Sequence, residues 1–377
     1  MSIIFLIGFI FMTVNAVLFN GQSRVIRYSF IGILFILFVY ITMDQSLTFD
    51  TAIYNFYYSD PDLAHFEVGY IWLMKLGKTL GLSFYQFRGL LFLIEISLIL
   101  VALHRFNIKN KNLFLLLYTI LNFFESPVQL RNYLMATIVF LGFSFIKSRT
   151  KSGYVLFVLL VGAGASIQSA GVFFLPFVFF FAFQGKTMNK LVVLYTIIFI
   201  SLIAFGPVRS LVAVIASKLM TPFGVTGMKA VSYLNRLMPG EIILADIPVT
   251  LGIWYFSSQF IKKLQSKYPE VNTRVVVNIA LAEKLFFFLI YMFPMYLFAY
   301  NFNRILIDSF LVFFVGIVTL SDYARTKSKS IMGVDKYAVL GVVVTTTYAL
   351  CSYTYGSKYV GTLIAVLFHN TIFGGTY

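Results

Sequence analysis

The chain has 377 residues, of which 60% are hydrophobic, 19% aromatic and only 11% charged, against about 25% charged in an ordinary soluble domain. Mean hydropathy is +0.88, and about 12 spans of about 20 residues each would consume close to two thirds of the chain. That excludes a cytosolic enzyme, a secreted protein on a single anchor and a DNA-binding protein, and leaves an all-α, polytopic transmembrane helical bundle. In such a protein the net charge of +15 reads as an orientation signal rather than as affinity for nucleic acid.

The apolar runs fall in chain order at 3–20, 28–43, 86–103, 113–125, 128–146, 154–168, 170–184, 191–208, 248–261, 275–300, 305–321 and 337–355. The N-terminus is apolar from Ile3, without a basic region or a small-residue cleavage site, and reads as a first span. Six gaps are basic. They hold Arg24 and Arg27; Arg105, Lys109 and Lys111; Lys147, Arg149 and Lys151; Lys186 and Lys190; Lys262, Lys263, Lys267 and Arg274; and Arg325, Lys327, Lys329 and Lys336. They recur at every second gap, so the positive-inside rule places them in the cytoplasm and both termini outside.

The alternate gaps hold Asp44, Asp50, Asp60, Asp62, Glu67, Glu125, Glu241 and Asp246, more than half of the 14 acids. They also contain the two longest polar stretches, 44–67 and 209–247. Function is expected at this outer face, because long ordered loops are where sites are built. Residues 68–82 are apolar but carry Lys75 and Lys78, and read as an interfacial or re-entrant helix. The segment 44–82 is therefore an outer loop plus interfacial helix. Residues 209–247 form a large outer loop whose Arg209, Lys218, Lys229 and Arg236 lie among apolar residues, as in amphipathic helices on the outer leaflet. Run 359–373 fits either a further span or a second re-entrant piece. The whole of 1–377 reads as one integral membrane domain, and no internal repeat supports an inverted-repeat transporter.

Charges at membrane depth each need a reason. Arg131 follows Gln129 at the outer end of one span; Gln168 and Ser169 stand at the next outer crossing; Arg304 stands at another, with Asp308 one turn on and on the same helix face. Asp50 stands four residues before Tyr54, and Glu67 opens the interfacial helix. A single Arg at a span end would simply snorkel to the headgroups. Several guanidiniums at one depth fit a phosphate or diphosphate, which their planar fork binds bidentately. Acids at that level fit a general base or an acceptor for sugar hydroxyls. Outer aromatics such as Tyr54, Tyr57, Tyr58 and Trp72 could stack on sugar rings. Glu95 and Arg88, seven residues apart on one helix face, can pair. Cys351 lies in an apolar run and reads as an inert core thiol, and His65, His104 and His369 are too far apart to make a metal set. No metal and no cofactor are expected.

The outer motifs come in a particular order. D-x-x-x-Y (Asp50 to Tyr54) is followed by F-E-V-G-Y (Phe66 to Tyr70) and an L-G-x-S-F turn. Then come Gln129, Arg131, Leu134 and Ala136, S-A-x-x-F-F-L-P (Ser169 to Pro176), and N-R-I ending at Ile305. From about 44 to 310 this order resembles the EpsG-type branch of the Wzy polysaccharide polymerases. Two departures stand out. MDQSLTFD lacks the Arg and Gly that commonly precede the D-x-x-x-Y acid, and Gln168 stands where the family usually has His.

The resemblance implies a GT-C-like bundle in the bacterial inner membrane, with its active site facing the periplasm or cell exterior. Such proteins are metal-independent glycosyltransferases that build O-antigen, capsule or exopolysaccharide. They move a growing glycan from undecaprenyl diphosphate to the non-reducing end of an incoming lipid-linked repeat unit. Mapped onto this chain, Arg131, Arg304 and Arg236 would hold the diphosphate, and Asp50 or Glu67 would deprotonate the attacking hydroxyl. Asp44, Tyr54, Gln129, Gln168, Ser169 and Asp308 would contact substrate. The implied partners are the undecaprenyl-diphosphate-linked oligosaccharide, the lipid bilayer, a chain-length regulator and a flippase, with no nucleic acid. The alternatives are a flippase or transporter of the same lipid-linked oligosaccharide, and an O-antigen-ligase-like glycosyltransferase.

Overall fold

The computed structural model describes residues 3–18, 24–43, 49–123, 125–182, 243–267, 273–291, 303–327 and 335–354, with four isolated positions between 190 and 214. Among the described residues there are 13 α-helices and no strand. They are α1 (Ile3–Leu18), α2 (Arg24–Met43), α3 (Phe49–Ser59), α4 (Val68–Thr79), α5 (Phe84–Arg105), α6 (Lys111–Tyr118), α7 (Leu130–Ile146), α8 (Lys151–Ile167), α9 (Phe177–Ala182), α10 (Ile243–Lys267), α11 (Thr273–Ile290), α12 (Asn303–Lys327) and α13 (Lys336–Thr354). Asp44, Arg236, the amphipathic segment 209–238 and the run 359–373 lie outside the described residues.

Among the described residues two helices, α5 and α12, are by length and composition fit to cross a membrane unaided; apolar stretches of α1, α2, α6, α7, α8 and α13 are shorter. Against the expectation of about 12 spans, two are clear among the described residues. The run 170–184 illustrates the difference. It is a 3₁₀ turn over Ser169–Phe174 followed by the six-residue α9. Pro176 lies at the junction, where it has no N–H to give to a continuous helix.

Cap chemistry sets the corners. Gly81, at φ +72°, closes α4. The Gly81 N–H donates to the Lys78 carbonyl at 2.9 Å and the Leu82 N–H to the Gly77 carbonyl at 3.1 Å, which is a Schellman stop. Two residues later Ser83 opens α5 with a capping box: its hydroxyl accepts the Gln86 N–H and the Gln86 side chain accepts the Ser83 N–H. The chain therefore turns back at once, and α4 stays at one end of the bundle. With 12 residues it is about 18 Å long, well short of the ~30 Å hydrocarbon core.

Helix α12 is the central pillar. Its apolar stretch is almost wholly buried, and it packs against α6, α7, α11 and α13. Aromatic contacts lock it in place: Phe310 stacks on Tyr348 of α13 at 4.6 Å, and Phe314 meets Phe114 of α6 edge-on at 5.8 Å.

The basic turns gather at one end of this pillar. The Arg325 guanidinium donates to the Ala16 and Val17 carbonyls at the end of α1, both at 3.0 Å, and to Asp335 at 2.8 Å. Asp322 accepts the backbone N–H groups of Lys109 at 2.8 Å and Asn110 at 3.1 Å. Arg105 donates to Ser144 Oγ at 3.0 Å, and Asn278 to the Phe106 carbonyl at 3.1 Å. The ends of α1, α5, α7 and α12 and the start of α11 thus share one surface. The acidic turns and α4 lie at the opposite end.

Candidate active site

Glu67 is the N-cap residue of α4 and makes no capping bond of its own, so its carboxylate is available to other elements. One oxygen, Oε2, pairs with the Arg131 guanidinium from the first turn of α7. The other, Oε1, accepts the backbone N–H of Ser169 at 3.0 Å, just beyond α8. Arg131 Nε also donates to Tyr54 Oη of α3 at 3.3 Å, and its guanidinium lies 4.3 Å from the centre of the Phe66 ring, within cation–π range. Four segments that are far apart in sequence are tied together through one ion pair.

The close approach of α4 to α8 permits this. A Cβ on Gly69 would lie 2.7 Å from the Ser166 carbonyl oxygen, closer than any real side chain sits. Glycine lets the two backbones meet, and the meeting brings Glu67 beside Ser169. Behind the ion pair, Tyr70 is fully buried, and rings of Tyr54, Phe66 and Tyr70 pack within 5.8 Å of one another.

A second group of charges lies on the other side of the α7 N-terminus. The helix α6 widens into a π-turn over Thr119–Phe123, a distortion that often marks functional sites. The turn that follows carries Glu125. Gln129 Nε2 donates to Glu125 Oε2 at 2.6 Å. Arg304 and Asp50 are both close enough to influence its titration: burial pushes its carboxyl up to about 7, Arg304 works against that rise and Asp50 adds to it. Asp308 lies within electrostatic reach of Arg304 and Glu125, and accepts a hydrogen bond from Asn132 Nδ2 at 3.0 Å. Glu125, Asp50, Arg304, Asp308 and Asn132 therefore form a charged cluster built on α3, α7, α12 and the turn before α7.

The expected site residues thus fall into two adjoining groups. Tyr54, Glu67, Arg131 and Ser169 meet directly, with Gln168 alongside Ser169 and its amide oxygen buried without a partner among the described residues. Gln129 is hydrogen-bonded to Glu125, and Asp50, Arg304 and Asp308 lie within its electrostatic reach. The two acids expected to compete for one role, Asp50 and Glu67, belong to different groups. Sequence assigns no site role to Glu125, Asn132 or Phe66, although Phe66 opens the F-E-V-G-Y motif and Glu125 is one of the outer acids. Glu125 looked like one outer acid among many; the E-S-P turn directly ahead of Gln129 and Arg131 was the available signal. Arg88 and Glu95 have partners on other elements: Arg88 donates to the Ile41 carbonyl at 2.9 Å, and Glu95 accepts from Ser126 Oγ at 2.8 Å. The Glu95 bond ties the turn carrying Glu125 to the middle of α5. Among the described residues no group of three His, Cys, Asp or Glu side chains could hold a metal ion.

No curated protein and no solved structure matches the chain. A family model described as the EpsG family matches residues 28–363, nearly the whole length and all of both charged groups. The chain belongs to the EpsG family of polysaccharide-polymerase-like membrane proteins.

Proposed function

We propose that the protein is a polysaccharide polymerase of the bacterial inner membrane, working on undecaprenyl-diphosphate-linked oligosaccharides at the outer face. In this reading the end bearing Glu67, Arg131, Glu125 and Arg304 faces outward, and the basic turns face the cytoplasm. The observation that carries it is the adjacency of two charged groups across the start of α7. One holds an arginine fixed by its own carboxylate; the other has three carboxylates, Asp50, Glu125 and Asp308, within electrostatic reach of one another or of Arg304.

The reaction divides between them. A hydroxyl oxygen at the non-reducing end of the incoming unit attacks the anomeric carbon of the growing chain. The bond from that carbon to the diphosphate oxygen breaks, and undecaprenyl diphosphate leaves with the bonding pair. The hydroxyl proton goes to a carboxylate. Glu67 has both oxygens engaged by Arg131 and Ser169, so its role is to orient Arg131. Asp50, with Glu125 next to it, takes the proton. Arg304 and Arg131 bind the diphosphate and offset the charge that develops on it. Tyr54, Gln129, Gln168, Ser169 and Asp308 hold sugar hydroxyls.

The test uses purified protein supplied only with lipid-linked repeat units, a chelator and no nucleotide sugar. A ladder of chains is expected, and Asp50→Asn should leave single repeat units. Absence of any ladder, together with loss of all surface sugar in a deletion strain, would favour a transporter of the same lipid.

A further inference from the structure

The basic end contains a feature that the transfer reaction does not use. Between the ends of α5 and α7 and the start of α11 lies an open cleft of about 420 Å³ lined by His104, Arg105, Asn107, Lys147, Ser148 and Asn278, together with Val277. Three of these side chains are basic or titratable to a cation, three more are neutral and polar, and none is an acid.

The cations here differ from those at the other end. Arg131 is neutralised by Glu67. Arg105 instead meets neutral groups: its Nε donates to Ser144 Oγ at 3.0 Å, and its guanidinium lies 3.5 Å from the centre of the Phe145 ring. No carboxylate among the described residues forms an ion pair with Arg105 or His104. Lys147 donates to the Arg105 carbonyl and lies 4.8 Å over the Phe106 ring.

The cleft is also held open by backbone structure. Asn107 takes a left-handed conformation, φ 59°, which Asn tolerates better than most residues. It ends α5 with paired bonds from the Asn107 N–H to the His104 carbonyl and from the Ile108 N–H to the Leu103 carbonyl. Asn278 is buried and bonded to Phe106 and Thr319, so the far wall is rigid. The C-terminal dipoles of α5 and α7 account for cations in these last turns. They do not account for a concave space between those turns that is lined by Arg105, Lys147 and His104 and by no acid.

We propose that this cleft is a binding site for a phosphate-bearing group, with Arg105 and Lys147 as its principal ligands and His104 and Asn107 at its rim. A phosphodiester of an anionic membrane lipid has the right charge and position, since basic pockets between transmembrane helices seat such headgroups. The inference is independent of the polymerase reading and holds whatever chemistry occurs at the opposite end.

The test is native mass spectrometry of the purified, detergent-solubilised protein titrated with phosphatidylglycerol, phosphatidylcholine or inorganic phosphate. Phosphatidylglycerol is expected to be retained preferentially. The Arg105→Gln, Lys147→Gln double variant should lose about thirtyfold in that affinity, since each basic residue near a charged surface is worth about 1 kcal/mol. Asn107→Asp keeps every cation and the left-handed backbone but adds a negative charge, and should weaken binding without unfolding the chain. If inorganic phosphate itself binds and displaces the lipid, the site exists and its ligand is a free phosphate. Equal phosphatidylglycerol retention by the wild type and both variants, or equal retention of phosphatidylcholine, would overturn the proposal.

Discussion

The Glu67 carboxylate bridges the Arg131 guanidinium and the Ser169 backbone N–H, so a single acid joins the starts of α4 and α7 to the exit of α8. Both side chains of the ion pair are mostly shielded, at 19% and 12% exposed. Removing one partner leaves an unpaired charge in that setting, which costs about 3 kcal/mol. Glu67→Gln and Arg131→Gln should each lower the apparent melting temperature in detergent. The double variant should be more stable than either single one. Additive losses in the double variant would show that the pair does not couple these segments.

Arg131→Lys keeps the charge but not the fork that meets Glu67 and Tyr54 together. Polymer formation in cells carrying this variant should fall well below wild type while membrane insertion, measured by blot of the membrane fraction, is unchanged. Full-length polymer at the wild-type level would remove Arg131 from the diphosphate site.

Glu125 gives a pH signature. Burial raises its carboxyl from an ordinary 4.5 to about 7, against the pull of Arg304 and with the help of Asp50. The folded protein therefore binds a proton more tightly than the unfolded chain. The stability this contributes is fully present below 4.5 and is lost as pH rises to about 7. If Glu125 must be ionised for transfer, activity has the opposite trend and climbs through about pH 7. Glu125→Gln should flatten both profiles. A rate that still rises through the same interval in the Gln variant would assign the titration to another group.

Two glycines separate close packing from helix propensity. Gly69→Ala forces α4 away from the Ser166 carbonyl, and overpacking of this kind costs about 1–3 kcal/mol. It should also cut polymer yield, because Glu67 moves with α4. Gly162 of α8 has open space where its Cβ would be, so Gly162→Ala should be neutral or stabilise the helix by about 0.5–1 kcal/mol. Thermal unfolding of the pair checks both, and equal behaviour would contradict the close contact.

Sidedness is tested by cysteine labelling in a Cys351→Ser background. A cysteine at exposed Asp60 should react with an impermeant maleimide in whole cells, and one at exposed Ser148 only after permeabilisation. The reverse pattern would invert the map.

The alternation of basic and acidic turns was legible because charge sidedness needs only sequence order, and α4 was marked as non-spanning by Lys75 and Lys78. Those lysines are in fact engaged at the surface of its own loop: Lys75 pairs with Asp62 at 2.5 Å and Lys78 donates to the Ser59 carbonyl at 2.5 Å. The partners within the site were not legible. Glu67 and Arg131 are 64 residues apart, and nothing local to either announces the other. Asp308 shares a helix face with Arg304, yet the hydrogen bond it accepts comes from Asn132 on α7, a contact only tertiary packing creates. Glu125 is set apart from the other outer acids mainly by what folding brings to it, the Gln129 hydrogen bond and the influence of Arg304 and Asp50.

Asp308 and Asp322 both lie on α12, 14 residues apart, close to four full turns and so nearly on one line along the helix, about 21 Å from each other. Each is bonded to α7 or to the loop before α6. A helix pinned at both ends in this way behaves as a fixed axle. It cannot slide or rotate at one end without tearing contacts at the other. Any rearrangement that leaves these bonds intact is confined to the helices packed around it.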